Sequence, residues 1–193
     1  MKTNIAAIIA AVLTMAAQTG IQMANAQAQN QAQAKPEAQA ASGLPNGASS
    51  LNEIYQDWTV ICATGDRNRV CVMSQQQRKS DTNQLVLAAE FNAVSTGEVK
   101  GTLVLPFGLR LADGVVLQVD DQPTLDALPF TTCLPAGCIV QVAFDGTMLK
   151  SLRSGTALKL TARAHDSGQN VLFGVSLKGF SAAQDRAAAL SAN

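Results

Sequence analysis

The chain has 193 residues, with 14 Lys plus Arg against 14 Asp plus Glu, 47% hydrophobic residues and 15% charged ones. With no basic surplus to neutralise phosphates, nucleic acid is excluded as a partner class. The apolar fraction is enough for one modest domain with a proper core.

Lys2 precedes an uncharged apolar run from Ile5 to Ala17, and Ala24-Asn25-Ala26 follows as a small-x-small site. That order predicts a secretory signal peptide over residues 1–26, cleaved after Ala26 so that the mature chain begins at Gln27. The run is shorter than the about 20 residues of a membrane span, and no later run approaches that length. No membrane span is therefore expected after cleavage. The first cysteine is Cys62, which leaves no lipid-anchor site near the cleavage point. A periplasmic, outer-envelope or secreted location follows.

Residues 27–50 are dominated by Ala, Gln, Ser, Gly and Pro, with no aromatic or β-branched side chain. Such a segment cannot bury enough apolar area to offset its ordering entropy, and it reads as a flexible spacer. After Ser50 the pattern changes to short alternating runs, the period of a strand. They are Trp58 to Cys62, Cys71 to Gln75, Leu85 to Phe91, Val99 to Leu105, Val115 to Asp120, Cys138 to Phe144, Leu158 to Ala164 and Val171 to Leu177. Gly, Asp, Asn or Pro punctuates most gaps between them. Seven or eight strands over roughly 130 residues predict an all-β domain, a two-sheet sandwich or a barrel, over residues 51–181. Trp58, alternating with Val60 and Cys62, is expected in the core.

Two helical pieces interrupt the strands. Asp145 is a candidate N-cap for a short internal helix carrying Met148, Leu149 and Leu152, with Gly155 as its stop. Residues 182–193 read as an Ala-rich helical tail, opened by Ser181 and Gln184 at capping-box spacing. Leu190 is its one large apolar residue, so the tail is expected to project or fray.

The four cysteines pair by geometry. Pro135 suits the second position of a β-turn and Gly137 the fourth, which sets Cys133 opposite Cys138. A hairpin turning about Asp66-Arg67 likewise sets Cys62 opposite Cys71. Opposed strand positions lie about 4.5–5.5 Å apart, within disulfide reach. Four cysteines allow three connectivities, and the two local bridges, Cys62–Cys71 and Cys133–Cys138, are favoured in an exported protein. A C-x-x-C redox site at a helix start does not fit the spacing, and an all-cysteine zinc site competes with oxidation after export.

No catalytic, cofactor or metal residue stands out. His165, the single histidine, lies beside Asp166 at a strand end, without a G-x-S-x-G nucleophile turn. Asp120, Asp121 and Asp126 form an acidic cluster of the kind that runs glycoside chemistry or binds calcium, but neighbours on a strand face opposite ways. Met73 near Cys71 has no further Met or His at copper-ligand spacing. Phosphate-loop and dinucleotide fingerprints are absent.

The segments DWTVICA, the C-x-M-x-Q of CVMSQQ, LVLPFGLRLADGVVLQVDD, PFTTCLPAGC and VSLKGFSAA occur in that order between Asp57 and Ala183. Together they resemble the invasion-associated locus B (IalB) family of α-proteobacteria. The resemblance implies an exported β-sandwich of immunoglobulin-like arrangement, an envelope location and, in some members, a part in host-cell entry. It carries over no catalytic residue. The function expected is a non-enzymatic envelope protein that binds or scaffolds an unidentified envelope or host macromolecule. The alternatives are an exported enzyme acting on envelope glycans through the aspartate cluster, and a periplasmic metal or redox helper using the cysteines. Leu105 to Gly108 reads either as a turn with Phe107 packed on the core or as a contact loop. The candidate contact residues are Pro106, Phe107, Lys178 and Phe180.

Overall fold

Side chains that alternate between the interior and solvent build most of the molecule. The computed structural model describes residues 44–64, 69–92 and 97–191. Among them ten strands run antiparallel: Ser50–Tyr55 (β1), Trp58–Thr64 (β2), Arg69–Arg78 (β3), Leu85–Asn92 (β4), Val99–Leu105 (β5), Val116–Val119 (β6), Phe130–Leu134 (β7), Gly137–Phe144 (β8), Ala157–Arg163 (β9) and Asn170–Ser176 (β10). Seven join in the order β1-β2-β3-β4-β5-β8-β7, and three in the order β10-β9-β6. Both inner faces feed one buried cluster, with Val60, Met73, Leu103 and Val140 from the larger sheet and Leu117, Leu158 and Leu160 from the smaller. The fold is an all-β two-sheet sandwich. Helix Gly146–Ser154 (α1) follows β8, and helix Phe180–Ser191 (α2) follows β10. The predicted signal peptide, residues 27–43 of the predicted spacer and the Asp66-Arg67 turn lie outside the described residues.

All eight expected strands are present, and two more escape the pattern. In β1 the inward positions are Leu51, Glu53 and Tyr55 while Ile54 faces solvent, so polarity does not alternate with direction. In β7 every residue after Phe130 is exposed, which leaves no alternation to read. Both are edge strands, with one row of backbone groups unpaired.

The two sheets are joined through Ser176 at the end of β10. Its N–H donates to the Gln75 side-chain oxygen at 3.0 Å, and its carbonyl accepts from Gln75 Nε2 at 3.1 Å and from Trp58 Nε1 at 2.9 Å. Its hydroxyl donates to the Asp57 carboxylate at 2.6 Å, and Gln75 Nε2 also reaches the Asp57 carbonyl at 3.1 Å. Gln75 thus serves the edge of β10 as a neighbouring peptide unit would. One strand turn further along, Gln77 Nε2 donates to the Gly174 carbonyl. Trp58 is fully buried, its ring 5.5 Å from Phe91 and 5.3 Å from Phe180. Asp57, Trp58, Gln75 and Ser176 come from three of the segments that carry the family resemblance, and they meet here.

Seven strands against three leave the inner face of β1 to β3 uncovered by sheet. Helix α2 covers it. Phe180, Ala183, Gln184, Ala187 and Leu190 are buried along one face, so the expected projecting tail is part of the core instead. The reason is size rather than hydrophobicity: Ala183 and Ala187 let the helix axis approach the sheet closely, and a count of large apolar residues misses them. The expected capping box does not form either. Ser181 donates to the Arg153 carbonyl of α1 at 2.9 Å, and Gln184 accepts from the Arg153 guanidinium. The helix is entered through Gly179, φ +83°, where a Cβ would lie 2.0 Å from the Tyr55 carbonyl oxygen. Only glycine fits there.

Two guanidinium–carboxylate pairs hold α2 in place. Arg186 donates to both oxygens of Glu53 on β1 at 2.8 Å, and Arg153 donates to both oxygens of Asp185 at 2.7 and 2.9 Å. Hydrogen bonding from Arg186, aided by the Tyr55 hydroxyl and opposed by partial burial, holds the Glu53 carboxyl below its ordinary range. The Arg153 contact does the same to Asp185. Helix α1 forms as expected, with Asp145 accepting from the N–H groups of Thr147 and Met148 at 3.0 and 2.8 Å and with Leu149 and Leu152 buried.

The predicted spacer needs one correction. Leu44 is 2% exposed and belongs to the core, a short turn spans Pro45–Gly47, and the Ser49 carbonyl accepts from Thr64 N–H at 3.0 Å. A single leucine gives residues 44–50 a docking point that composition over the whole stretch averages away.

Replacing Gln75 by Leu should lower stability by about 1–3 kcal/mol, because it leaves the half-buried Ser176 N–H without its partner. The outward-facing Gln76→Leu on the same strand should stay within about 0.5 kcal/mol. Urea unfolding of the two variants makes the comparison. Arg186→Met should cost about 1 kcal/mol at neutral pH, the scale of a well-formed but partly exposed pair. Since the folded pKa of Glu53 is depressed, that contribution is complete above the ordinary carboxylate pKa and disappears as pH falls through the depressed value. Unfolding curves of parent and variant should therefore converge in acid. A gap that persists there would assign the role of Arg186 to packing of its stem alone.

Candidate interaction site

Register sets the cysteines opposite one another. Cys62 pairs with Cys71 and Cys133 with Cys138, with Cα separations of 4.1 and 3.9 Å, and both pairs are disulfides. The first lies on the buried face of β2 and β3; the second closes the β7–β8 turn, where Cys133 is exposed and Cys138 buried. Gly137 is required in that turn, because a Cβ would sit 2.4 Å from the Leu105 carbonyl oxygen. The two bridges occupy separate places, and no cluster of His, Cys, Asp or Glu suited to a metal occurs among the described residues.

The aspartate cluster is dispersed in the same way. The Asp120 carboxylate accepts from the backbone N–H groups of Thr156 and Ala157 at 3.0 Å, which binds the end of β6 to the start of β9. Asp120 has φ +48°, a conformation that Asp tolerates better than most residues. Asp121 pairs with Lys159 at 2.9 Å while itself 99% exposed, a contact of little energetic weight. His165 is exposed on the β9–β10 turn, and its backbone N–H donates to the Gly108 carbonyl at 2.8 Å. Each of these groups has a role in the backbone or none in the interior.

The contact candidates divide. Lys178 is exposed, whereas Phe180 is 0% exposed and stacks edge-on with Trp58, so it is a core residue and not a contact residue. The segment turns inward at Gly179 to start α2, which sends the aromatic ring under the sheet. Pro106 is half-buried and Phe107 is 58% exposed, so Phe107 does not pack on the core. Its bend is held from the far side: Leu109 bridges Ala164, and Arg110 N–H donates to the Arg163 carbonyl at 2.8 Å. With the backbone anchored toward β9, the Phe107 ring is left facing outward.

Phe107 stands at a cleft of about 380 Å³ where the two sheets part. Pro106 and Phe107 form one wall, Lys79 and Leu85 at the β3–β4 turn another, and Val171 and Phe173 of β10 the third. Asn83, φ +54°, lets that turn close, with Lys79 N–H donating to the Gln84 carbonyl at 2.9 Å. Alternation in the sequence places Leu85, Val171 and Phe173 on the inner faces, but nothing in it marks where those faces stop touching. The lining is mainly apolar, suited to an apolar side chain rather than to proton transfer.

Comparison with known proteins places these features in a family. The model of the invasion associated locus B (IalB) protein matches residues 58–188. An invasion protein B homolog of Brucella abortus is 48% identical over 151 residues, which is 78% of this chain and 87% of that protein. Invasion protein B of Bartonella bacilliformis is 38% identical over 149 residues, 76% and 80% of the two chains. The crystal structure of invasion associated protein B from Bartonella henselae superposes with a TM-score of 0.68 at 35% identity, covering 73% of this chain and 97% of that one. With a family match from the core residue Trp58 into α2 and the same sandwich in a solved relative, the chain belongs to the invasion-associated locus B family.

Proposed function

We propose that this protein is exported and acts by binding another macromolecule through the cleft beside Phe107, without catalysing a reaction. The observation that carries the proposal is an aromatic ring 58% exposed on an anchored bend, at the mouth of an apolar cleft. The ring extends the apolar surface of the cleft, and covering the two together with a partner is favourable. Two disulfides suit an oxidising compartment, and the N-terminal residues have the order of a cleavable signal. Among the described residues no helix is long and apolar enough to cross a membrane. The names of the Brucella and Bartonella relatives support a role in contact with host cells.

Replacement of Phe107 by Asp should leave folding and export intact and abolish complementation in a strain lacking the native copy. His165→Ala and Asp126→Asn should complement fully. Loss of function in either of the latter, with fold and export preserved, would transfer the activity to catalysis. Mass analysis of the exported chain should find Gln27 at its N-terminus; a retained Met1 would contradict cleavage.

A further inference from the structure

Strand β10 is an edge strand whose outward hydrogen-bonding row is only half occupied. The ladder with β9 is bounded by Ala164 N–H to the Gln169 carbonyl and Leu177 N–H to the Thr156 carbonyl. Antiparallel alternation therefore turns the odd-numbered residues Val171, Phe173 and Val175 toward β9 and the even-numbered Leu172, Gly174 and Ser176 away from it. The lower part of this outward row is satisfied from within: Ser176 by Gln75 and Trp58, and the Gly174 carbonyl by Gln77. Among the described residues no group meets the N–H or carbonyl of Leu172 or the N–H of Gly174. Leu172 is 71% exposed, and a Cβ at Gly174 would touch nothing. Natural sheets cover, charge or kink such edges; here the glutamine cover stops one residue pair short.

We infer that the open half of β10 accepts an extended segment of a partner protein as an added strand, with alternate apolar side chains of that segment entering the cleft. The inference rests on the reading of the cleft as the contact surface and names what fills it. Side chains of an added strand share the faces of its neighbour. Those on the inner face lie level with Val171 and Phe173 and open into the cleft of about 380 Å³. The occupant is a single extended segment and not the edge of a second copy. The open stretch is short, bounded by the Gln77 cover on the Gly174 carbonyl and by the turn that Ala164 N–H closes on the Gln169 carbonyl, so it suits a bare segment rather than the long edge of another sheet. Gln75 and Gln77 already demonstrate the chemistry, since carboxamides bind this edge in the way backbone amides would.

The test uses the full exported chain, labelled for amide NMR, and a blocked peptide of about seven residues alternating Val and Thr. A second peptide carries Pro at its centre, and a third is N-methylated at alternate residues. The alternating peptide should shift the amides of Leu172 and Gly174 and slow their hydrogen exchange, and the other two should not bind. Leu172→Pro removes an outward N–H without removing a ladder bond to β9, and it should weaken binding at least about tenfold. If that variant does not fold, the N-methylated peptide decides the same question from the ligand side. Absence of binding at about 1 mM peptide overturns the inference, as does binding indifferent to Leu172→Pro and to N-methylation. A dimer in sedimentation that Leu172→Pro disperses assigns the edge to a second copy and overturns it too. If Phe107→Asp abolishes complementation while no peptide binds, the cleft reading stands and strand addition falls.

Discussion

The sandwich depends on the backbone of one residue, Ser176, being shared between its two layers. A three-stranded sheet beneath a seven-stranded one has an edge that must end somewhere under the larger sheet, and an unpaired edge in a dry interior is costly. Gln75 resolves this by presenting a carboxamide, which carries the same donor and acceptor as a backbone peptide, to the N–H and carbonyl of Ser176. Trp58 adds a second donor and then continues into the aromatic cluster with Phe91 and Phe180. The polar contact fixes the relative placement of the layers, and the rings fill the space that this placement leaves.

Unequal sheets have two further consequences. On one side of β10 the space under β1 to β3 is closed by α2, whose alanines allow close approach and whose middle is tied by Glu53–Arg186 and Arg153–Asp185. On the other side, beyond Gln77, nothing comparable among the described residues closes the gap, and the cleft beside Phe107 remains. The covered and the open region are thus products of the same mismatch in strand number. A binding surface placed there draws on the rigidity of the sandwich while leaving the core untouched.

The disulfides contribute stiffness of two kinds. Cys62–Cys71 lies inside the core beside Val60 and Met73, where it links neighbouring strands already paired in register. Cys133–Cys138 ties to β8 the edge strand β7, which has almost no buried side chain to hold it otherwise. In the chain-entropy account each short loop contributes about 2–3 kcal/mol. For the exposed strand β7 that is a large share of its local stability; for the buried pair it supplements burial.

Much of this was legible in the residues, because its causes are local. Alternation at a period of two marks eight strands, the Pro135 turn aligns Cys133 with Cys138, and Asp145 announces α1. Where the cause is a distant partner, the residues alone are silent or misleading. Glu53 faces inward only because Arg186 waits there, Leu44 docks only because the core has a place for it, and Phe180 is buried only because Gly179 turns the chain under Tyr55. The five family segments could be recognised in order, yet the meeting of three of them at Ser176 is a fact of three dimensions. The sequence by itself determined strand pattern, bridge pairing and helix start, each set by neighbours along the chain. Tertiary structure alone decided which faces met, which edge was closed by side chains and which stayed open, since those depend on how two sheets of different width are laid together.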